Sequence, residues 1–332
     1  MQLLRHAGVD IVSRNVYCDQ RRVWFGGLSD IVWDGVDVVS RETAAGQDLT
    51  IERSYNTPAG QLGERQRYAH LQSTLVQERF LVDDYATQLD AYQRLVEGRR
   101  WRFAGDRYDD HQRLVGDDGL VVAGELYSPL KMLHLDLGAE NTTYLLMDHP
   151  ARAAELMRMH QAAQLDLARQ IVEWGVPAIM AMDNLDTMLH SPEYVERYSA
   201  PFYEQASHIC HAHGSTFWIH ACGQQRANLK LIASLGVDGL EGVAFPPLGD
   251  VELDEAMKIS GDRFLMTGGI TAAETDHLQS REAVFQYVRQ LLERMAPYAH
   301  RFIFASSCNT AITARWEQLV WFRDAWLEYG QL

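Results

Sequence analysis

From residue 149 to the C-terminus, short apolar runs alternate with longer segments in which apolar residues return every three or four positions. Asp148-His149-Pro150 opens a helix, because proline suits a first helical turn. That helix carries Leu156, Met159, Ala163, Leu167 and Ile171 on one face and stops at Gly175. A strand over 177–183 follows, and a second helix runs from Ser191-Pro192 to Gly214. Strands over 215–222, 237–242, 263–268 and 301–307 then alternate with helices over 225–235, 253–259, 281–295 and 313–328. Such alternation predicts right-handed βαβ units and a parallel sheet.

Counting the segment 119–127 makes six strands, and two more from the first 118 residues would close a (β/α)8 TIM barrel. A doubly wound open sheet is the competing architecture, but no Gly-x-Gly-x-x-Gly follows any strand. The expectation is therefore one TIM-barrel domain over 1–332. Residues 1–118 supply the first barrel elements and an N-terminal extension covering the barrel mouth, and 119–332 supply the regular βα units. Within the extension, 23–27 and 31–35 read as strands of a hairpin, and 54–68 as polar and turn-rich around Thr57-Pro58-Ala59-Gly60.

Composition narrows the class. At 332 residues and 47% hydrophobic, the chain can bury a large core. Thirty basic against 45 acidic residues give a net charge of −15, which argues against nucleic acid or an anionic membrane as partner. The longest apolar run, about 176–182, falls far short of the roughly 20 residues a membrane helix needs. No secretory leader is apparent near Met1, so a soluble cytoplasmic enzyme is the expectation. In a reducing compartment the four cysteines point to metal or chemistry rather than to cross-links.

Candidate chemistry then falls at one end of the sheet. In a (β/α)8 barrel, catalytic groups come from the carboxyl ends of the strands. Those ends are Glu125, Asp183-Asn184, His220 with Cys222, Glu241, Gly268-Gly269 and Cys308. His220 and Cys222 stand two apart, so on a strand both face one side. An imidazole and two thiolates are preferred zinc donors, and a catalytic zinc keeps a position open for substrate. A core histidine beside a buried cysteine is the competing reading of His220-Ala221-Cys222; Cys308 at another strand end weighs against it. Glu241, on the next strand, is either a fourth ligand or the partner of an arginine at the mouth. Asp183 is either a general acid or base, an orienting group for a ligand, or a turn cap. Glu125, Asn184, Trp218 and Gly268 are candidate substrate contacts, although Trp218 also suits the barrel core and Gly268 a tight turn. Cys18 and Cys210 lie outside the pattern, and His211 and His213 suit a helix end.

These residues resemble those of a family. Thr57-Pro58-Ala59-Gly60, the stretch 129–150, Asp183-Asn184-Leu185, Ser191-Pro192-Glu193-Tyr194, His220-Ala221-Cys222-Gly223 and Cys308 are similar to the uroporphyrinogen decarboxylase superfamily. They resemble specifically its zinc- and corrinoid-dependent methyltransferase branch. The order His220, Cys222, Glu241, Cys308 also looks like the zinc site of cobalamin-independent methionine synthase, which supports Glu241. The resemblance implies Zn2+ on this set and a corrinoid (cobalamin) carried by a partner protein. It further implies methyl transfer from a methyl ether, such as a methoxylated aromatic, to Co(I), or from methylcobalt to a thiol or another acceptor. The Thr-Pro-x-Gly segment is closer to the demethylase group. The arginine-rich Met-Arg-Gln-Ala-Gly-Arg-Tyr signature of the decarboxylases is missing, which leaves a lyase acting on tetrapyrrole carboxylates as the more distant alternative.

Overall fold

The computed structural model describes residues 2–13, 27–72, 74–308 and 310–330. Residues 23–26 of the strand expected over 23–27, and Cys18, lie outside the described residues. The fold is a TIM-like (β/α)8 barrel. Among the described residues its parallel ladder runs from Ile11–Ser13 to Gly119–Val121, which continues after a break at Val122 as Ala123–Leu126. It goes on through Ala178–Ala181, Thr216–His220, Gly239–Val243 and Leu265–Ile270 to Phe302–Ser306. Of the two strands expected from the first 118 residues, Ile11–Ser13 joins this ladder.

The pleat sorts side chains between two faces. Ile179, Ala181, Phe217 and Ile219 join the large core under the helices. Val122, Ala178 and Met180, with Trp218 against them, form a separate cluster on the other face, inside the barrel. Helices Pro150–Glu173, Arg281–Met295 and Trp316–Tyr329 lie where the periodicity puts them. The helix expected over 191–214 is broken into Pro192–Tyr194, a π-helical turn Val195–Ser199 and Ala200–Ala212. Among the described residues no helix is long and apolar enough to cross a membrane.

The extension differs from its sequence reading. Asp37–Ala45, Asp48–Thr57, Gly60–Ala69 and Thr74–Arg79 form a four-stranded antiparallel sheet. Thr57-Pro58-Ala59-Gly60 is a hairpin turn inside it, with the Thr57 hydroxyl donating to Gly60 O at 2.8 Å. Ser29–Trp33 pairs antiparallel with Arg99–Phe103. Tyr55 and Leu62 of the sheet pack with Tyr92 and Leu95 of helix Tyr85–Gly98, and with Leu130 and Leu133 of helix Pro129–Asp148.

Between this sheet and the barrel lies a cavity of about 430 Å3. Trp33, Tyr55, Phe80 and Trp101 line its extension side, and Lys131, His134 and Asn184 its barrel side. The extension therefore roofs the carboxyl end of the barrel.

Glu125 ties the two together. It is buried at the end of its strand and accepts from Leu28 N at 2.8 Å and from the Ser29 hydroxyl. It serves as an anchor for the strand Ser29–Trp33, in place of the substrate contact expected from its position. Burial outweighs these hydrogen bonds and pushes its carboxyl up from 4.5 to about 7. A raised folded-state pKa gives a contribution that is whole below pH 4.5 and lost as pH rises through 7. Glu125→Gln keeps the acceptor and cannot ionise. Its stability relative to wild type should therefore rise between pH 5 and pH 8, by on the order of 3 kcal/mol. Urea unfolding of both proteins at the two pH values checks this; a constant difference would contradict it.

Candidate metal centre

His220, Cys222 and Cys308 meet at the carboxyl end of the barrel. One donor atom from each lies within 4.8 Å of the other two. Donors bonded at about 2.0–2.3 Å around a tetrahedral ion stand roughly 3.5–3.8 Å apart, so the group is near its bonding geometry. His220 is buried and both cysteines are half-buried, so the sulfurs are the partly accessible part of the group.

Each member is fixed by its own local structure. His220 is the last residue of Thr216–His220. Its Nδ1 is engaged by a carboxylate oxygen of Glu241, the residue beside it in the parallel register. With Nδ1–H donating to Glu241, Nε2 is the ring nitrogen that would present its lone pair to an ion. Gly242 makes room for the ring: at its φ of +86° a Cβ would meet Ser307 O at 2.3 Å and His220 Cε1 at 3.0 Å.

Cys222 stands two residues beyond the strand, in the following loop rather than on the pleat. Ala221 N still reaches Glu241 O at 2.8 Å, and Gln225 Nε2 then holds Cys222 O at 3.2 Å. Gly223, at φ +87°, lets Asp186 sit where a Cβ would be. Cys308 also follows its strand, Phe302–Ser306, by two residues. Ser307 N donates to Ile270 O at 2.8 Å, Gly269 N donates to Ser307 Oγ at 3.1 Å, and the Ser306 hydroxyl holds Cys308 O at 2.8 Å.

The donor chemistry suits a cation. Contact with Cys308, then burial, pushes the Cys222 thiol well above its ordinary range. Two sulfurs this close cannot both be anionic unless positive charge sits between them. A soft, borderline divalent ion such as zinc suits two sulfurs and an oriented imidazole. The residues present therefore fit zinc.

Other expected site residues fall elsewhere. Asp183 is fully buried, its two oxygens taken by Ser128 N at 2.9 Å and by the Tyr203 hydroxyl. Burial holds its carboxyl above the usual range. It anchors the cap of helix Pro129–Asp148, where the sequence left open a general acid or base, an orienting group for a ligand, or a turn cap. Trp218 fills the barrel interior, its Nε1–H on Thr216 Oγ1 at 3.0 Å and its ring 2.5 Å from the site of a Gly239 Cβ; it is core, not a substrate contact. Gly268 lies within Leu265–Ile270, and a Cβ there would meet Val243 O at 2.7 Å and Ser307 Oγ at 3.1 Å. The close approach at Gly268 is thus by protein, and it seats the turn that carries Cys308. Asn184 does line the cavity, at a φ of +48°. Cys210 is fully buried, and the exposed His211 pairs with Asp238 at 2.9 Å, as expected of structural groups.

The sequence reading missed Lys131, His134, His190, Asp186 and Gly242. Lys131 and His134 stand three apart on one face of their helix, just past the end of a barrel strand, and that spacing was the available signal.

A search among solved structures finds a methyltransferase from Methanosarcina mazei at a TM-score of 0.55 and 15% identity, covering 77% of this chain and 72% of that one. At that identity the likeness shows the shared barrel fold. A D-psicose 3-epimerase with D-tagatose from Clostridium cellulolyticum H10 aligns at a TM-score of 0.41 and 9% identity, over 69% of this chain and 84% of that one. No curated protein sequence matches the chain. The uroporphyrinogen decarboxylase (URO-D) family model matches residues 113–329, well over half of its length, and the chain belongs to that family.

Proposed function

We propose that this chain is a zinc-dependent methyltransferase that moves a methyl group from a methyl ether, a methoxylated aromatic, to the Co(I) of a corrinoid carried by a partner protein. The observation that carries this reading is the convergence of His220, Cys222 and Cys308 at the barrel mouth, with both cysteines half-buried. The likeness to a methyltransferase from Methanosarcina mazei agrees with it.

His220, Cys222 and Cys308 would hold the zinc. When bound, zinc supplies a Lewis acid for an ether oxygen, or keeps a thiol acceptor as thiolate in the opposite direction of transfer. Glu241, set on Nδ1 of His220, fixes the ring and its tautomer, and we assign it this positioning role ahead of that of fourth ligand. Asp183 holds the cap from which Lys131 projects. The aromatic walls of Trp33, Tyr55, Phe80 and Trp101 suit an aryl ether better than a small thiol, which favours the demethylase direction. A tetrapyrrole decarboxylase needs many free cations in its pocket. Here Arg53 is paired with Glu64 and Arg99 with Asp136.

Purified zinc-loaded protein, mixed with reduced cobalamin and a panel of methoxyarenes, should form methylcobalamin with at least one of them. No methylcobalamin from any donor, alongside its formation of methylthiols from methylcobalamin, would reverse the direction. Glu241→Gln should weaken zinc by about 10- to 100-fold, the usual cost of losing an outer partner of a ligating histidine. Its turnover at saturating zinc should change less, and zinc titration of both proteins checks this. An unchanged affinity would remove Glu241 from the site.

A further inference from the structure

Lys131 is the cationic residue of the cavity that, among the described residues, makes no ion pair. It lies half-buried in the first turn of helix Pro129–Asp148, its N–H on the Ser128 hydroxyl at 3.2 Å. Its ammonium borders the cavity, within electrostatic reach of Cys222 and Asp183. Among the described residues no carboxylate meets it in an ion pair, and both oxygens of Asp183 are already taken. The cavity's two arginines are neutralised by Glu64 and Asp136.

Beside Lys131 stands a pair of histidines in edge-to-face contact, His134 and His190, with ring centroids 5.2 Å apart. His134 Nδ1 and both ring nitrogens of His190 are buried without a hydrogen-bond partner. Burial, and then the neighbouring positive charge, holds His134 near 3 and His190 near 4, so both rings are neutral and offer hydrogen bonds only. Burial disfavours the Lys131 ammonium and Asp183 only partly offsets this, so an anion arriving beside it and the unpartnered imidazole nitrogens would be stabilised.

We infer that Lys131, with His134 beside it, is the group that receives the negative charge of the leaving oxygen, so that the cavity holds a phenolate in preference to the methyl ether it comes from. This rests on the methyl-transfer reading given above. In the step, the bond between ether oxygen and methyl carbon breaks, and the methyl carbon is bonded by the electron pair of the cobalt(I) partner. The oxygen keeps the former bonding pair and leaves as phenolate, paired with the Lys131 ammonium. The aryl ring lies toward Trp33, Phe80 and Trp101, and the oxygen toward Lys131 and Cys222.

The test is calorimetric binding of 4-nitrophenolate and of 4-nitroanisole, its methyl ether, to the full chain at a pH of about 8, where the phenol is ionised. Both zinc-loaded and chelator-treated protein are titrated. Metal-free wild type should bind the phenolate at least about tenfold more tightly than the ether. Lys131→Met should bind the two alike and Lys131→Arg should keep the preference; Lys131→Gln replaces Lys131→Met if that variant unfolds. Equal affinities in wild type, or an undiminished preference in Lys131→Met, would overturn the assignment. Zinc content separates this claim from the one it rests on. A preference in a chain that takes up no zinc leaves Lys131 standing and removes the zinc reading, while zinc uptake without a preference does the reverse.

Discussion

Cys308→Ala is expected to give a folded protein that retains no zinc after dialysis and turns over at less than about one-thousandth of the wild-type rate. Cys308 is half-buried two residues beyond its strand, outside every hydrophobic cluster of the core. Removing its sulfur therefore costs little packing. What disappears is one of three donors within 4.8 Å of one another, and two remaining donors do not make a tight site. His220→Ala and Cys222→Ala should behave alike, since the three act as a unit. Elemental analysis, circular dichroism and a methyl-transfer assay read the three parts separately. Full zinc content in Cys308→Ala would remove it from the ligand set.

The largest effect on stability is expected from Asp136→Ala. Arg99 donates to both oxygens of Asp136 at 2.9 and 3.3 Å, and the Tyr92 hydroxyl donates to one of them at 2.8 Å. Because that hydroxyl proton is used, the 2.9 Å contact between Tyr92 and His160 Nε2 makes the histidine the donor. Burial, then Arg99, keeps His160 neutral. Four elements meet here: strand Arg99–Phe103 and helices Tyr85–Gly98, Pro129–Asp148 and Pro150–Glu173. Without Asp136, a buried guanidinium, whose Nε already lacks a partner, stands uncompensated. Breaking such a pair costs about 3–5 kcal/mol, and thermal unfolding should shift down accordingly. The double variant Arg99→Met with Asp136→Leu should recover much of the loss, because no buried charge is left. A double variant as unstable as Asp136→Ala would show that the network does more than cancel its own burial.

Much of the barrel was legible because its helices have one buried stripe and its strands are short apolar runs; helix Arg281–Met295 shows Val284, Val288, Leu291 and Met295 buried as the periodicity requires. The extension was not, for a physical reason. Asp37–Ala45 is exposed along its whole length, so no alternation of apolar and polar positions marks it as a strand. Its neighbours carry Arg53, Glu64, Gln66 and Arg67 in cross-strand polar contacts, a pattern that reads as loop.

At the site, His220, Cys222 and Cys308 could be found because their donor types are rare and fall at strand ends. Glu125 and Asp183 occupy the same kind of position and are anchors instead. A carboxylate at the end of a strand can tie down the next loop as readily as it can face a substrate, and only burial tells the two apart. Trp218 shares the face of His220 one pleat repeat deeper, which places it in the barrel interior. Lys131, His134 and His190 come together from a helix face and a distant loop, so no spacing announces them as a group.

X-ray absorption at the zinc edge of the metal-loaded protein tests the central claim most directly. The account predicts two sulfurs at about 2.3 Å and one imidazole nitrogen at about 2.0–2.1 Å, with one light atom completing the shell. One sulfur or none, or a shell of oxygen and nitrogen alone, would contradict it.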